Sequence, residues 1–232
     1  FINQNRATTN ENRSDVIGIS LWANPTVSPY DQNGQLIPFL TSPANKYFTA
    51  WSFPNPLYML QQITQTQQQF QNLGSAFIEW EIIPGLKAKT SLNTIWSTSK
   101  YNEYTPATVG RANVPPTAGT GASSNTRGDN FNWLIENTLT YDKQFGDHQL
   151  NALVGYTTQK STGDDISLDA SPYANDLIQT INGAQDISDW GETVNKWSMI
   201  SYLGRVNYSY KDRYLLTATI RSDGSSRFGD KI

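Results

Sequence analysis

Hydrophobic and polar residues alternate along three pairs of segments in this chain. From 74 to 83 the even positions Ala76, Ile78, Trp80 and Ile82 are apolar while Ser75, Glu79 and Glu81 are polar, the period of two that gives a strand two unlike faces. Pro84-Gly85 supplies a tight turn. The chain returns with Leu86, Ala88, Thr90, Leu92, Thr94 and Trp96 on one face and Lys87, Lys89, Ser91 and Asn93 on the other. A second unit runs from Phe131 to Phe145, where Phe131, Trp133, Ile135, Leu139 and Tyr141 alternate with Asn132, Glu136, Thr138, Thr140 and Asp142. It turns at Gly146-Asp147 and comes back with Leu150, Ala152, Val154 and Tyr156 on one face, Leu153 being the exception on the polar side. A third puts Ile200, Tyr202, Val206, Tyr208 and Tyr210 opposite Ser201, Arg205, Asn207 and Ser209, turns at Lys211-Asp212, and returns with Tyr214, Leu216, Ala218 and Ile220.

Between these hairpins lie polar stretches rich in Gly, Ser, Thr, Asn and Pro, at 8 to 65, 99 to 130 and 161 to 195. Two short helices are expected inside the first, Ser14 to Ala23, capped by Ser14 and stopped by Asn24-Pro25, and Leu57 to Gln62. Tight turns therefore alternate with connections of thirty residues or more. Loops beyond roughly 12–15 residues are uncommon in compact soluble domains, whereas outer-membrane barrels pair short periplasmic turns with long extracellular loops. About 12 residues at roughly 3.3 Å each, tilted about 45°, rise about 28 Å, close to the roughly 25 Å apolar band of such a barrel. Tyr141, Phe145, Tyr208, Tyr210 and Tyr214 sit beside the short turns, and Phe131, Trp133, Trp96, Tyr156 and Trp197 fall toward the opposite strand ends, as two interfacial girdles. The expected fold is all-β: six full strands, with part of another at Phe1 to Asn5, of a larger transmembrane antiparallel barrel with long extracellular loops. The rival is a soluble β-sandwich, a secreted carbohydrate-binding or adhesive module, whose core would hold the same apolar faces.

Composition narrows the function. Charged residues make up 16% of the 232, against roughly 25% in ordinary soluble domains, yet aromatics reach 12% with seven Trp. Many aromatics and a net charge of only −3 argue against disorder, and the lack of a basic face argues against nucleic acid as a partner. Without cysteine there is no thiolate metal site, and with His148 alone neither a His-based zinc site nor a Ser-His-Asp triad is expected. No enzyme activity and no cofactor are expected. The chain opens at Phe1-Ile2-Asn3-Gln4 without initiator Met or signal-like segment and stops at Asp230-Lys231-Ile232 just after turn-like glycines. It reads as an internal piece of a longer protein, with residues 1–232 forming one partial barrel domain.

The segment from Ser201 to Gly229, SYLGRVNYSYKDRYLLTATIRSDGSSRFG, resembles the signature barrel segment of the SusC/RagA family of TonB-linked outer-membrane transporters. Asn132 to Gly146, and Asn55-Pro56-Leu57 with Glu79 to Lys87, are similar to further regions of that family. The resemblance implies a 22-stranded barrel with an N-terminal plug in the outer membrane of a Gram-negative bacterium. It also implies import of a glycan or peptide, with a SusD-like surface lipoprotein and the TonB complex as partners. The signal peptide, TonB box, plug and closing strands are not found in these residues.

Several residues are candidates for contact with solute. Glu79, Glu81, Lys87, Lys89, Glu136, Arg205, Arg213 and Arg221 fall on the polar faces and are expected to line the lumen, because on lipid each Arg or Lys would cost roughly 2–4 kcal/mol at the midplane. They suit either a translocation path or a salt-bridge network bracing the barrel wall against the plug. Tyr101, Tyr104 and Trp190 are loop aromatics suited to stacking on sugar rings. Glu79 and Glu81, spaced like an inverting glycosidase pair, read as solvated wall charges. Asp164-Asp165 and Asp186 with Asp189 lack the spacing of a calcium loop. His148 reads as an exposed turn residue, and Gly224 to Gly229, without the lysine of a phosphate-binding loop, as the start of a loop.

Overall fold

The computed structural model describes residues 2–9, 14–42, 51–110 and 114–228. Gly229, the last residue of the signature segment, and Phe1 lie outside them. The main body is one seven-stranded antiparallel sheet. Its strands are β1 (Ile2–Thr9), β4 (Thr64–Ile83), β5 (Leu86–Thr105), β6 (Gly121–Phe145), β7 (His148–Tyr173), β8 (Ile187–Tyr210) and β9 (Tyr214–Ser225), paired in that order. The insertion between β1 and β4 carries α1 (Ser14–Trp22), the small hairpin β2 (Phe39–Ser42) and β3 (Trp51–Pro54), and α2 (Pro56–Gln62). Both helices fall where expected, α2 starting one residue early because Pro56 occupies its first turn and the Asn55 side chain caps the Leu57 N–H at 3.0 Å.

The three tight turns are where the sequence put them. Gly85 (φ +83°) and Gly146 (φ +60°) take left-handed backbone, and Lys211 and Asp212 (φ +53° and +50°) do the same in the third.

The long polar stretches are the main correction. Residues 99 to 105 continue β5, 121 to 130 belong to β6, 161 to 173 extend β7 and 187 to 195 begin β8, so the open connections shrink to 106–120 and 174–186. Strands of 20 to 26 residues, at roughly 3.3 Å per residue and a tilt of about 45°, rise about 47–60 Å, twice the apolar band. Their upper halves stand in water on both sides, where no apolar alternation is needed, and their Ser, Thr and Asn residues carry no facing signal.

Register fixes the two faces. Glu79 lies opposite Lys89, Lys89 opposite Thr138, Thr138 opposite Gly155, Gly155 opposite Leu203, and Leu203 opposite Arg221, one polar-sided row through six strands. The adjacent row on the other face reads Trp80, Ala88, Leu139, Val154, Gly204 and Ile220. That apolar face is uncovered: Ile78, Trp80, Tyr202 and Ile220 are 77%, 65%, 60% and 76% exposed. A sandwich would need a second sheet against it, and among the described residues the only other sheet is β2–β3. The sandwich reading is therefore set aside.

One girdle assignment and the exposed-turn reading of His148 change. Trp197 shares the parity of Ser201 and Arg205 and sits on the polar face, 5.8 Å from the Arg227 guanidinium to its ring centroid. His148 is half-buried in the lower aromatic row, stacked on Phe145 at 5.3 Å, 4.7 Å from Tyr210, with Nδ1 hydrogen-bonded to the Tyr208 hydroxyl at 2.6 Å. A ring with an apolar body and a polar edge belongs at that level, as the tyrosines do.

Candidate lumen wall and extracellular cap

Seven of the eight residues expected on the wall lie on the polar face of the strands, and Arg213 does not. Glu79 and Glu81 stand across from Lys89 and Lys87 without closing to ion pairs. Glu81 instead accepts from the Gly85 N–H at 3.0 Å, tying the turn, and the Lys89 ammonium lies 4.5 Å from the centroid of the Phe77 ring. Glu136 accepts from Ser91 at 3.3 Å and Asn93 at 3.4 Å. Arg205 faces Thr219, and Arg221 pairs with Asp223 on its own strand at 2.9 Å. Arg213 falls in the turn before β9, off the strand wall. Most of these charges are open to water.

Sequence reasoning missed a polar ladder across four strands. Thr217 donates to the Asn207 side chain at 3.0 Å, Asn207 donates to Asn151 at 3.1 Å, and Asn151 donates to the Asp142 carboxylate. All four are lumen-facing in the alternation, but only the register brings residues up to 75 positions apart into one row.

The strand tops carry the only buried apolar cluster found among the described residues: Val16, Met59, Ile63 and Val109, with Ile19 and Tyr58 against it. Asn55 is fully buried beneath this cap and donates to the Pro29 and Ile37 carbonyls at 2.8 Å each, joining three stretches of the insertion. Between the helices and the lumenward strand tops lies a cleft of about 560 Å³, lined among others by Ile19, Met59, Glu103, Ser124 and Asp169.

The three candidate aromatics part company. Tyr104 is 3% exposed, edge-on to Tyr173 at 5.0 Å, and offers no free ring face. Its hydroxyl donates to Asp176 at 2.7 Å, and the same carboxylate oxygen accepts from the Ala107 N–H at 3.1 Å, binding the 106–120 and 174–186 connections together. Trp190 is on β8 rather than in a loop, 74% exposed, and faces out of the wall. Tyr101 faces the lumen with its hydroxyl on Glu103. Of the acidic pairs, Asp186 and Asp189 accept from the backbone N–H groups of Ile187 and Trp190, and among the described residues no three His, Asp or Glu side chains group as a metal site would need.

Burial first, and then the Asp176 contact, push the Tyr104 hydroxyl well above the ordinary tyrosine range. A raised pKa means the folded state holds the proton more tightly than the unfolded chain. This contribution to cap stability is therefore complete below about pH 10 and lost as pH climbs through the raised value. Protease cleavage within 106–120 of the full-length protein is expected to accelerate above about pH 10, and Tyr104→Phe should remove most of that acceleration while raising the cleavage rate at neutral pH. A pH-independent rate in the native protein counts against the contact.

No family model matches the sequence. Curated relatives do: TonB-dependent receptors P39 and P3 of Formosa agariphila are 32% identical over 76% of the chain and 31% over 66%. TonB-dependent receptor SusC of Bacteroides thetaiotaomicron is 61% identical over 31 residues, 13% of the chain. The chain spans only 17%, 15% and 3% of these three relatives. The RagAB peptide transporter superposes with a TM-score of 0.74 at 20% identity, covering 87% of this chain and 22% of that one, and its open-open state gives 0.73.

A single antiparallel sheet with an uncovered apolar outer face, a polar inner face and a cap at the strand tops is the barrel wall of a TonB-dependent receptor. The chain belongs to the TonB-dependent receptors, and within that class its last strands are similar to SusC and its fold to RagAB.

Proposed function

We propose that the whole protein imports an oligomeric nutrient across the outer membrane of a Gram-negative bacterium. TonB supplies the energy, a SusD-like lipoprotein acts at the mouth, and the solute is a glycan in preference to a peptide. The observation that supports this most is the inner face, where hydroxyl and amide groups such as Thr157, Asn151, Asn207 and Thr217 share the wall with charges of both signs. Such a surface favours a neutral polar solute over an ion of either sign. Tyr101 and the cleft beneath α1 and α2 lie at the mouth, where a ring and several oxygens can meet a sugar. The family relationship supports the coupling and the lipoprotein.

The test follows from the corrected loop. Deleting 107–119 in the full-length protein removes one connection and leaves β5 and β6 whole, unlike a deletion of 99 to 130. Growth on the cognate polymer is expected to stop while the folded receptor stays at its normal level in the membrane, and loss of the neighbouring lipoprotein gene should have the same effect. Unchanged growth in either strain overturns the mouth mechanism. A screen of the receptor knockout on single glycans and on peptides identifies the solute, and a defect confined to peptides overturns the glycan assignment.

A further inference from the structure

On the outward face, the lower aromatic row of Phe145, His148, Tyr210 and Tyr214, with Lys143 beside it, is followed upward by a band without charge. On β7 the outward residues are Leu150, Ala152, Val154, Tyr156 and Thr158, and on β8 they are Tyr208, Val206, Gly204, Tyr202, Ile200 and Ser198. The first charge above the band is Lys160 on β7, twelve residues from His148, and Lys196 on β8, fourteen residues from Tyr210. β5 repeats this with Lys100, fourteen residues past Leu86. On β6 the first charge is Asp129, and its carboxylate already accepts from the Trp96 indole N–H at 3.0 Å. Twelve to fourteen residues at roughly 3.3 Å and a tilt of about 45° rise about 28–33 Å, just past the apolar band of roughly 25 Å. These lysines stand at the headgroup level of the outer leaflet.

Lys160 lies across from Ser198 and Lys196 across from Thr162, so the two lysines are diagonal neighbours, roughly 7–8 Å apart at the backbone. Among the described residues neither has an ion-pair partner, and Asp164, two residues along β7 from Thr162, pairs with neither. Two exposed cations this close repel unless an anion lies between them, and the Ser198 and Thr162 hydroxyls beside them are ready donors. Trp133 and Phe131, across from Lys160 and Thr162, offer apolar surface beside them.

We propose that Lys160 and Lys196, flanked by Ser198 and Thr162, bind the phosphate groups of an acylated, phosphorylated lipid in the outer leaflet. The site is on the outside of the wall and independent of the transported solute. Ammonium groups are suited to phosphate oxygens, and the band of Tyr156 and Ile200 below them, with Trp133 alongside, to acyl chains.

Native mass spectrometry of the full-length receptor, released from nanodiscs containing bis-phosphorylated lipid A or its enzymatically dephosphorylated form, tests this directly. The native protein is expected to retain the phosphorylated lipid about ten- to thirtyfold better than the dephosphorylated one. Lys160→Gln with Lys196→Gln should erase that preference, Lys160→Arg with Lys196→Arg should keep it, and lumen-facing Lys87→Gln with Lys89→Gln should not change it. Inorganic phosphate at equal phosphate concentration should not displace the lipid. Equal retention of the two lipids by the native protein overturns the proposal even if the glutamine variant fails to fold, as does an unchanged preference in that variant or displacement by free phosphate.

Discussion

Arginine at Val154 or at Ala218 is expected to stop the full-length receptor from assembling, whereas arginine at Thr157 is expected to be tolerated. Val154 and Ala218 lie on the uncovered outward face within the charge-free band, where Arg costs roughly 2–4 kcal/mol near the midplane. Thr157 sits on the polar face directly across from Glu136, so a guanidinium there gains a carboxylate neighbour and keeps its water. The measurement is the folded fraction in outer-membrane preparations, read from the heat-dependent shift in gel mobility. Losses of tenfold or more are expected for Val154→Arg and Ala218→Arg, the size such an energy difference gives at equilibrium. Equal levels for all three variants would mean that the sheet does not meet lipid, and a loss confined to Thr157→Arg would mean that the faces are reversed.

Expressed alone, residues 1–232 should be insoluble without detergent. The described sheet has seven strands, fewer than the eight of the smallest barrels, and its edge strands β1 and β9 leave one side of their backbone unpaired. In lipid each unsatisfied group costs several kcal/mol, and in water the exposed Ile78, Trp80, Tyr202 and Ile220 form an apolar patch beside two sheet edges, the combination that drives association. Size-exclusion chromatography with light scattering separates the outcomes. Aggregates, or detergent-bound particles, are expected; a monodisperse monomer that melts cooperatively in plain buffer would contradict the open-wall architecture.

Alternation reveals structure only where the two sides of a strand meet different solvents. From Ala76 to Ile82, from Phe131 to Tyr141 and from Leu150 to Tyr156 one side meets lipid and the other water, and the facing of these residues was legible down to the Leu153 exception. Above Trp133 and Lys160 both sides are wet, the constraint lapses, and strands such as Gly121–Asn130 looked like loop. Trp197 was placed by ring type and strand end, when its parity with Arg205 was the better guide. His148 was placed by nearness to a turn, although its even spacing from Leu150 already put it on the aromatic side. Buried Tyr104 and the Asn55 junction rest on contacts between segments far apart in the chain, for which one sequence carries no sign. Glu79, Glu81, Lys87, Lys89, Glu136, Arg205 and Arg221 were placed by the same parity that placed the strands.

The ladder from Thr217 through Asn207 and Asn151 has a sense of direction: each side chain gives its hydrogen to the next, and the sequence of gifts stops at Asp142, which as a carboxylate can only receive. An amide can present its oxygen or its nitrogen to either neighbour, so nothing in the two asparagines themselves prefers one sense. The terminal anion sets it, and the dipoles of three successive bonds line up behind that choice. An asparagine at position 142 would keep the size and remove the arrow, because each link could then run either way. One acidic side chain near a turn thus polarises a strip of wall four strands wide.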